Sequence, residues 1–373
     1  MNRLFFIFLF TLIIISGCHD VVEINNRALV IGLGMDALPG NNVKVSLQIP
    51  LPENMGEEER NGGQESLFYT VSANSETAFD TLPDLQAKTY RSLFYGQIKV
   101  FIIGYDLAKK GLKNYIDFVE RYPEIPSQAV VIIAEGKAEE LLKKSPEYQT
   151  IPSLALFNFC KVPQKRDYNY VPSNWEFQHM LDTAKEEPED AFLPILTFEE
   201  SEKCFIFKGV GVFHGTRLVG VLNQIESRMF GILTSQMQNG YIRVPLENKK
   251  LKITYRQVVG NTKFRPVIKN GKIGFSVKVK CTGFLVEMTS PIIPMNSKLI
   301  EKIDRRVEAE LTKEIKKTIQ RLQKLNSDVL GWGELIRAKK PEVWRKIDWN
   351  REFPKAWFKV DVKFNTQWTG AYK

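Results

Sequence analysis

In the first half of the chain, short apolar runs alternate with stretches in which apolar residues recur at helical spacing. The runs with the length and β-branched content of strands are 27–36, 42–52, 67–73, 97–104 and 127–136. The stretches with helical spacing are 75–93, 105–122 and 137–144. Strands that alternate with helices predict a mixed α/β layer for this half of the chain.

Turn and cap signals refine this prediction. The turn-rich residues 37–42 join the first two strands and predict a β-hairpin. Ser75 is predicted to cap the first helix, and Pro83 is predicted to break it. The acidic, glycine-rich segment 53–66 is predicted to be a solvated loop.

The second half begins after a polar, proline-rich segment, 160–200, which is the best candidate for a linker. Residues 203–223 then predict a hairpin with its turn at His214-Gly215, followed by a helix over 224–237. Further strand-like runs build an antiparallel sheet; they are 241–246, 251–258, 264–269 and 273–288.

One long amphipathic helix is predicted from Ser297 to Leu325. Its apolar positions recur every three or four residues, at Ile300, Ile303, Val307, Leu311, Ile315, Ile319 and Leu322. We expect this helix to pack on the sheet of its own domain, with coiled-coil pairing as the alternative. The last run, 357–365, alternates apolar and polar residues as a half-buried strand does.

These elements predict an α+β protein with mixed and antiparallel sheets, packed helices and several domains, of which we expect three. With 43% hydrophobic and 11% aromatic residues, the chain can build proper cores. We place an N-terminal mixed domain at residues 18–195 and a C-terminal domain at 196–373, with a further division near residue 295.

The extreme N-terminus has the pattern of a secretory signal peptide, which we assign to residues 1–17. The apolar run Leu4–Ile15 follows one basic residue, Arg3, and is shorter than the roughly 20 residues that a membrane span needs. Residues 15–18, ISGC, resemble the bacterial lipobox. That resemblance implies cleavage before Cys18, an S-diacylglycerol group on its thiol and N-palmitoylation; the alternative is a plain cleaved signal with a chance cysteine.

The net charge of the chain is +9, and its basic residues are interspersed with acids. A basic protein can bind nucleic acid, but an exported protein rarely meets any, so we predict no nucleic-acid partner. Weak attraction to anionic lipid headgroups is the better interpretation of this charge.

The sequence carries no catalytic motif. Residues 32–37 fit G-x-G-x-x-A, but a turn and another strand follow where a dinucleotide fingerprint needs a helix. We interpret these glycines as relief of crowding in a sheet. His19, His179 and His214 lack metal-site spacing, and there is no nucleophile elbow or phosphate-binding loop. We therefore predict no enzyme activity, no cofactor and no metal.

The remaining cysteines and tryptophans favour packing roles. Cys160, Cys204 and Cys281 lie among strand-like apolar residues, so we predict buried free thiols, with one disulfide as the alternative. Core packing is also favoured over a carbohydrate-binding platform for the tryptophans at 332, 344, 349, 357 and 368.

Several stretches together resemble the Ger(x)C family, the lipoprotein C subunits of nutrient germinant receptors in endospore-forming bacteria. Residues 18–36 are similar to the family's Cys-Trp-Asp…Gly-x-Gly-x-Asp opening, and 328–347 to its Asp-x-Phe-Gly-x-Gly…Pro-x-x-Trp closing motif. Residues 95–121 and 208–233 resemble its central strand-helix and hairpin-helix segments. The departures are His19 for Trp, Gln97 for His and Leu330 for Phe.

The resemblance implies a three-domain mixed fold anchored through Cys18 to the outer face of the spore inner membrane. It implies two polytopic partner subunits, an A-type and a transporter-like B-type, and a role in triggering germination by nutrients. A solute-binding lipoprotein of a transporter is the alternative, but such proteins have two similar lobes and the two halves here show no repeat. A lipid-anchored hydrolase is disfavoured because nucleophile and metal motifs are missing.

The lipobox yields the first test. Changing Cys18→Ala should leave an uncleaved or soluble precursor without incorporated palmitate, since Cys18 is the predicted acceptor of every acyl chain. Metabolic labelling with palmitate measures this, and label that persists on the variant would refute the assignment.

Overall fold

The computed structural model describes residues 23–51, 67–122, 124–161, 180, 188–246, 251–289 and 297–367. The strands are β1 (Arg27–Leu29), β2 (Gly32–Ala37), β3 (Val43–Pro50), β4 (Phe68–Ser75), β5 (Ser92–Phe94), β6 (Val100–Gly104), β7 (Val130–Ala134), β8 (Phe192–Glu199), β9 (Cys204–His214), β10 (Arg217–Leu222), β11 (Gly240–Leu246), β12 (Leu251–Lys269), β13 (Lys272–Met288) and β14 (Trp357–Gln367). The helices are α1 (Thr81–Gln86), α2 (Tyr105–Lys110), α3 (Lys113–Arg121), α4 (Ala138–Lys143), α5 (Pro152–Lys161), α6 (Gln224–Leu233), α7 (Ser297–Leu325), α8 (Trp332–Lys339), α9 (Pro341–Trp344) and α10 (Trp349–Glu352). The α+β class is confirmed.

The larger sheet is mixed and has the strand order β10-β9-β8-β7-β6-β2-β3-β4. Its centre, β2, β6, β7 and β8, is parallel, and antiparallel strands flank it on both sides. Every residue of β6 and β7 is buried, as expected for parallel strands with helices on both faces. The predicted α/β layer and the β2–β3 hairpin are confirmed. The short β1 and β5 form a separate parallel pair.

Alternate residues of the central strands pack against different helices. Phe101 and Ile133 share a core with residues of α2 and α3, whereas Ile102 and Val130 share one with residues of α4 and α5. The sheet therefore forms the middle layer of three in this half of the protein.

The helices of the first half differ in part from the prediction. α1 has six residues, Ser75 ends β4, and Pro83 lies in the first turn of α1, where its missing N–H has no partner to lose. The predicted helix at 105–122 is two helices, because Gly111 has a φ of +116°. The prediction missed α5, which contains Cys160 in place of the expected strand.

The predicted domain division between residues 195 and 196 stays a prediction, but it falls within β8, and β9 and β10 continue the same sheet. The last part of the predicted linker, 160–200, is strand β8, which begins at Phe192. Most of the rest of the linker lies outside the described residues, as does the predicted loop at 53–66.

In the β9–β10 hairpin, His214 pairs with Arg217, so the turn is Gly215-Thr216, one residue later than predicted.

The smaller sheet has the order β11-β12-β13-β14. Its first three strands are antiparallel, as predicted, and β14 joins β13 in parallel. The strands predicted at 251–258 and 264–269 are one strand, β12, with register shifts between Arg256 and Val259. A β-bulge bends a strand without ending it, so the strand continues through the residues between the two predicted strands.

The long helix α7 has the predicted bounds and packs on the smaller sheet. Six of its seven predicted apolar positions are buried, and Ile300 is half-buried. These side chains share one core with the inner faces of β13 and β14 and with residues of β8, β9 and β10. The two sheets are therefore joined by a continuous hydrophobic core.

Two glycines of β2 allow α4 and α5 to approach the larger sheet closely. A Cβ at Gly32 would lie 1.9 Å from the Ser153 hydroxyl oxygen, and one at Gly34 would lie 3.0 Å from Leu142. No helix follows β2; a short 3₁₀ turn at Pro39–Asn41 leads to β3. The interpretation of these glycines as relief of crowding is confirmed.

We expect Gly32→Ala to lower the free energy of unfolding by about 1–3 kcal/mol, because the new methyl group overpacks the site against Ser153 and Leu142. Gly136→Ala is the matched control, since its Cβ would meet only Glu140, at 3.8 Å. Urea denaturation of both variants measures the difference. Equal stability of the two variants would contradict this account of the packing.

Candidate functional site

The predicted lipidation site, Cys18, lies outside the described residues, as do His19 and His179. The other three cysteines are free, as predicted. Cys160 and Cys281 are buried, and burial raises the pKa of each thiol to about 12, so both stay protonated at neutral pH. Cys204 is half-exposed at the start of β9, which differs from the predicted burial.

Residues of the opening motif form a polar site between β2 and α4. Asp36 is 4% exposed, and its carboxylate accepts the backbone N–H groups of Ala138, at 2.7 Å, and Glu139, at 3.0 Å. The side chain of Lys137, the residue before α4, makes no capping bond. Asp36 therefore caps this helix from β2, a strand that is remote in the sequence but adjacent in space. Burial raises the pKa of Asp36, and the two N–H groups oppose that rise.

Glu139 extends this site toward the protein surface. Its carboxylate accepts hydrogen bonds from Lys44 and Lys143, both at 2.7 Å, and from Ser72, at 3.1 Å. Burial alone would raise its pKa, but the three donors together lower the pKa of Glu139 to about 2. The carboxylate is therefore ionised and fully engaged in binding its neighbours.

Residues of the closing motif form a second, deeper site at the start of α8. Asp328 is 2% exposed and accepts three N–H groups: the backbone N–H of Trp332 at 3.0 Å, that of Gly333 at 2.6 Å, and the indole N–H of Trp349 at 2.9 Å. Burial raises the pKa of Asp328 well above its usual range, against these donors. Gly331, with φ +65°, provides the left-handed turn that brings Asp328 back over the helix.

Asp190 connects this second site to the larger sheet. Its carboxylate accepts the backbone N–H of Gly215, in the β9–β10 turn, at 2.7 Å and that of Asp328 at 2.8 Å. The backbone N–H of Asp190 donates in turn to the Asp328 carbonyl. Ser327 adds a hydrogen bond to the Phe213 carbonyl. A residue before β8, the turn after β9 and the loop before α8 are thus held together.

A cleft of about 600 Å³ lies beside Asp190 and Asp328. Glu189, His214, Trp344 and Asp348 are among the side chains that line it. Burial raises the pKa of Glu189, and the nearby carboxylates of Glu334 and Asp190 raise it further. Carboxylates beside indole rings are groups that attract amines and other cations.

A second cleft of about 650 Å³ lies beside α3 and is lined by Phe79, Asn114, Tyr115 and Tyr122, among others.

Two tryptophans of the closing region, Trp332 and Trp349, are buried and pack in the core, as expected. Trp332 is fully buried and stacks on Phe275 with ring centroids 4.2 Å apart. Trp349 is 7% exposed and uses its indole N–H to bind Asp328. Trp344 is half-buried beside Trp349. Trp368 lies outside the described residues.

Sequence reasoning did not single out Asp36, Asp190 or Asp328 as functional side chains. Asp36 and Asp190 bind N–H groups more than 100 positions away, which no local spacing reveals. Asp328 binds the N–H groups of Trp332 and Gly333, four and five positions away, from outside the position that ordinarily caps a helix. The available signal was the absence of Ser, Thr, Asp or Asn directly before α4 and α8. Among the described residues, no group of three or more His, Cys, Asp or Glu side chains is placed to hold a metal ion.

Comparison with known proteins identifies the family. A model described as the spore germination protein N-terminal domain matches residues 20–198, and one described as spore germination B3/GerAC like, C-terminal, matches residues 208–370. The chain belongs to the Ger(x)C family. The motifs around Asp36 and Asp328 are those in which the sequence resembled this family, and both prove to be sites where a carboxylate binds helix N–H groups.

Individual relatives agree with the family assignment. Spore germination protein B3 of Bacillus subtilis (strain 168) is 24% identical over 96% of each chain. Spore germination protein KC of the same organism is 24% identical over 96% of this chain and 93% of its own. A crystal structure of the GerBC protein superimposes with a TM-score of 0.60 at 18% identity, covering 94% of this chain and all of that one, which shows a shared fold.

The geometry at Asp328 gives a prediction. Asp328→Asn replaces one acceptor oxygen by a donor NH₂ group. Because the backbone N–H of Trp332 binds one carboxylate oxygen and the N–H groups of Gly333 and Trp349 bind the other, at least one of these three buried donors loses its partner. We expect the free energy of unfolding to fall by about 2–4 kcal/mol. The matched control is Asp348→Asn, because Asp348 is exposed and forms a salt bridge with Arg351 at the surface.

Chemical denaturation followed by tryptophan fluorescence measures both variants. If Asp328→Asn were as stable as Asp348→Asn, the three hydrogen bonds to Asp328 would not carry the stability assigned to them.

Proposed function

We propose that this Ger(x)C protein is the membrane-anchored lipoprotein subunit of a spore nutrient germinant receptor. It triggers germination through contacts with two polytopic subunits, an A-type and a transporter-like B-type. The observation that carries the proposal is that both family models, which together span residues 20–198 and 208–370, describe spore germination proteins. The relatives named for spore germination support the same role.

The proposed anchor is Cys18, as its N-palmitoyl, S-diacylglycerol form after removal of residues 1–17. Two or more acyl chains hold a protein on a membrane firmly, since each buried methylene contributes about 0.8 kcal/mol. In this proposal the folded part lies on the outer face of the spore inner membrane. No helix in the described part of the chain is long and apolar enough to cross a membrane.

Contacts, and not catalysis, are the proposed mode of action. Three desolvated carboxylates that would be candidates for acid–base chemistry already serve as acceptors: Asp36 for α4, and the half-buried Asp190 and the buried Asp328 for the loops around α8. Tethering also raises the effective concentration of the protein near integral partners, so a modest interface affinity suffices.

The alternative, a solute-binding lipoprotein of a transporter, gains no support from the fold. Proteins of that class close two similar lobes on a ligand. Here an eight-stranded mixed sheet is followed by a four-stranded sheet with a long hairpin, and the two sheets differ in strand number and order.

Deletion of the gene tests the proposal. Spores of the deletion strain should lose their response to one class of nutrient and keep germination by non-nutrient triggers, because only one receptor would be disabled. Complementation with the intact gene should restore the response, and complementation with Cys18→Ala should largely fail. Crosslinking in spore membranes should capture a multi-spanning protein. Normal nutrient germination in a deletion strain that has no related copy would refute the proposed function.

A further inference from the structure

Charge is distributed unevenly between the two halves of the chain. Residues 196–373 contain 34 Lys and Arg and 17 Asp and Glu, a net charge of +17, whereas residues 1–195 contain 18 and 26, a net charge of −8. The overall charge of +9 conceals this separation. Such asymmetry points to a specific basic surface in the C-terminal half.

The outer face of the smaller sheet is that surface. Along β13 and β14, Val277, Val279, Val360 and Val362 point into the core, and the residues between them are exposed. We call the exposed cationic residues in the aligned part of β12, β13 and β14 the basic face; they are Lys263, Arg265, Lys278, Lys280, Lys359 and Lys363. Asp361 is the one acidic residue among the described positions of that part of the face.

The register places like charges side by side. Lys263 is directly opposite Lys278, and Lys280 is directly opposite Lys363. Side chains at opposed positions of neighbouring strands lie about 5 Å apart at Cβ, and like charges at such positions destabilise a sheet. Asp361 lies directly opposite Lys278 on its other side and offsets part of this charge. The pair Lys280 and Lys363 remains a like-charged pair in the free protein, and a bound anionic surface would relieve its repulsion.

Few acidic side chains of the protein itself offset this charge. Among the described residues, the basic face has one ion pair, in which Lys363 lies 3.7 Å from Glu308 of α7 while remaining 71% exposed. On α7, by contrast, Lys313 and Lys317 lie 3.0 Å and 2.6 Å from glutamates of the same helix. Helix α7 has five acidic residues for its nine cationic ones, whereas the basic face has one acidic residue for six cationic ones.

We propose that the basic face docks on the anionic phospholipid headgroups of the membrane to which the protein is anchored. A broad sheet face with cations on three adjacent strands matches a surface of many phosphate groups better than it matches a single small ligand. A lysine close to an anionic membrane strengthens binding by roughly fivefold, so six cations give substantial attraction. The choice of a membrane rests on the proposed lipid anchor, and the test is arranged so that the two can fail separately.

The test uses the complete mature chain, residues 18–373, produced without acyl chains. It is mixed with vesicles of neutral phosphatidylcholine alone or with added phosphatidylglycerol, and the bound fraction is measured by sedimentation. We expect binding to the anionic vesicles only, and a steep loss of binding as salt shortens the Debye length below about 10 Å. Because this protein carries no acyl chain, the result does not depend on the palmitate-labelling test of Cys18.

Charge reversal locates the binding surface. The triple variant Lys263→Glu, Lys278→Glu and Lys280→Glu should bind anionic vesicles at least about 100-fold more weakly, since three fivefold contributions are lost and replaced by repulsion. The matched control reverses three exposed lysines outside the basic face, Lys298, Lys316 and Lys346. It has the same net charge and should lose less than about tenfold. Circular dichroism spectra establish that both variants are folded.

Equal losses in the two variants would show that net charge and not the basic face governs binding, and would overturn the proposal. So would equal binding to neutral and anionic vesicles, or the finding that the wild-type chain binds neither vesicle and that its basic face crosslinks to an acidic protein of the membrane.

Discussion

The structure depends most on the carboxylates of Asp190 and Asp328, which belong to one hydrogen-bonded network. Asp190 holds the β9–β10 turn and the loop before α8, and Asp328 holds the first turn of α8 and the ring of Trp349. These bonds join the edge of the larger sheet to the helices that cover the smaller one. Because both carboxylates are desolvated, each depends on its N–H donors, and loss of one donor leaves a buried polar group without a partner.

The same physical solution appears at the other motif. Asp36 caps α4 from a neighbouring strand, and Gln48 of β3 accepts the N–H of Ser153 at the start of α5 while donating to the Leu142 carbonyl at the end of α4. Helix ends carry backbone groups without partners inside the helix. Polar side chains of the sheet satisfy them here, and the glycines of β2 leave the room for it. The motif residues are thus structural supports that fix how the helices lie on the sheet.

These supports leave the outer surfaces free to make contacts. The basic face lies on a sheet whose inner side is fixed by α7 and by Trp332, so its cations are presented on a rigid scaffold. The cleft beside Asp190 is lined mainly by acidic and aromatic side chains, so its charge is opposite to that of the basic face. The basic face and the cleft are thus two chemically distinct surfaces of one protein, as the proposed role in binding requires.

The sequence by itself determined the elements whose pattern is local. The period of α7, the alternation along β14 and the buried runs of β6 and β7 each follow from side chains a few residues apart. The resemblance of residues 18–36 and 328–347 to one family was also readable. Other helices were less predictable. The break between α2 and α3 depends on the positive φ of Gly111, and the length of α1 and the existence of α5 were not predicted.

Tertiary structure alone decided the contacts between distant residues. Asp36 and Ala138 are 102 positions apart, and Asp190 and Asp328 are 138 apart, so no spacing in the chain could pair them. The continuation of the larger sheet through β8 to β10 was hidden for the same reason, since strand order is set by hydrogen bonds between remote segments. The basic face shows the principle most directly: each of its lysines looked like an ordinary exposed residue, and the strand register brought them together.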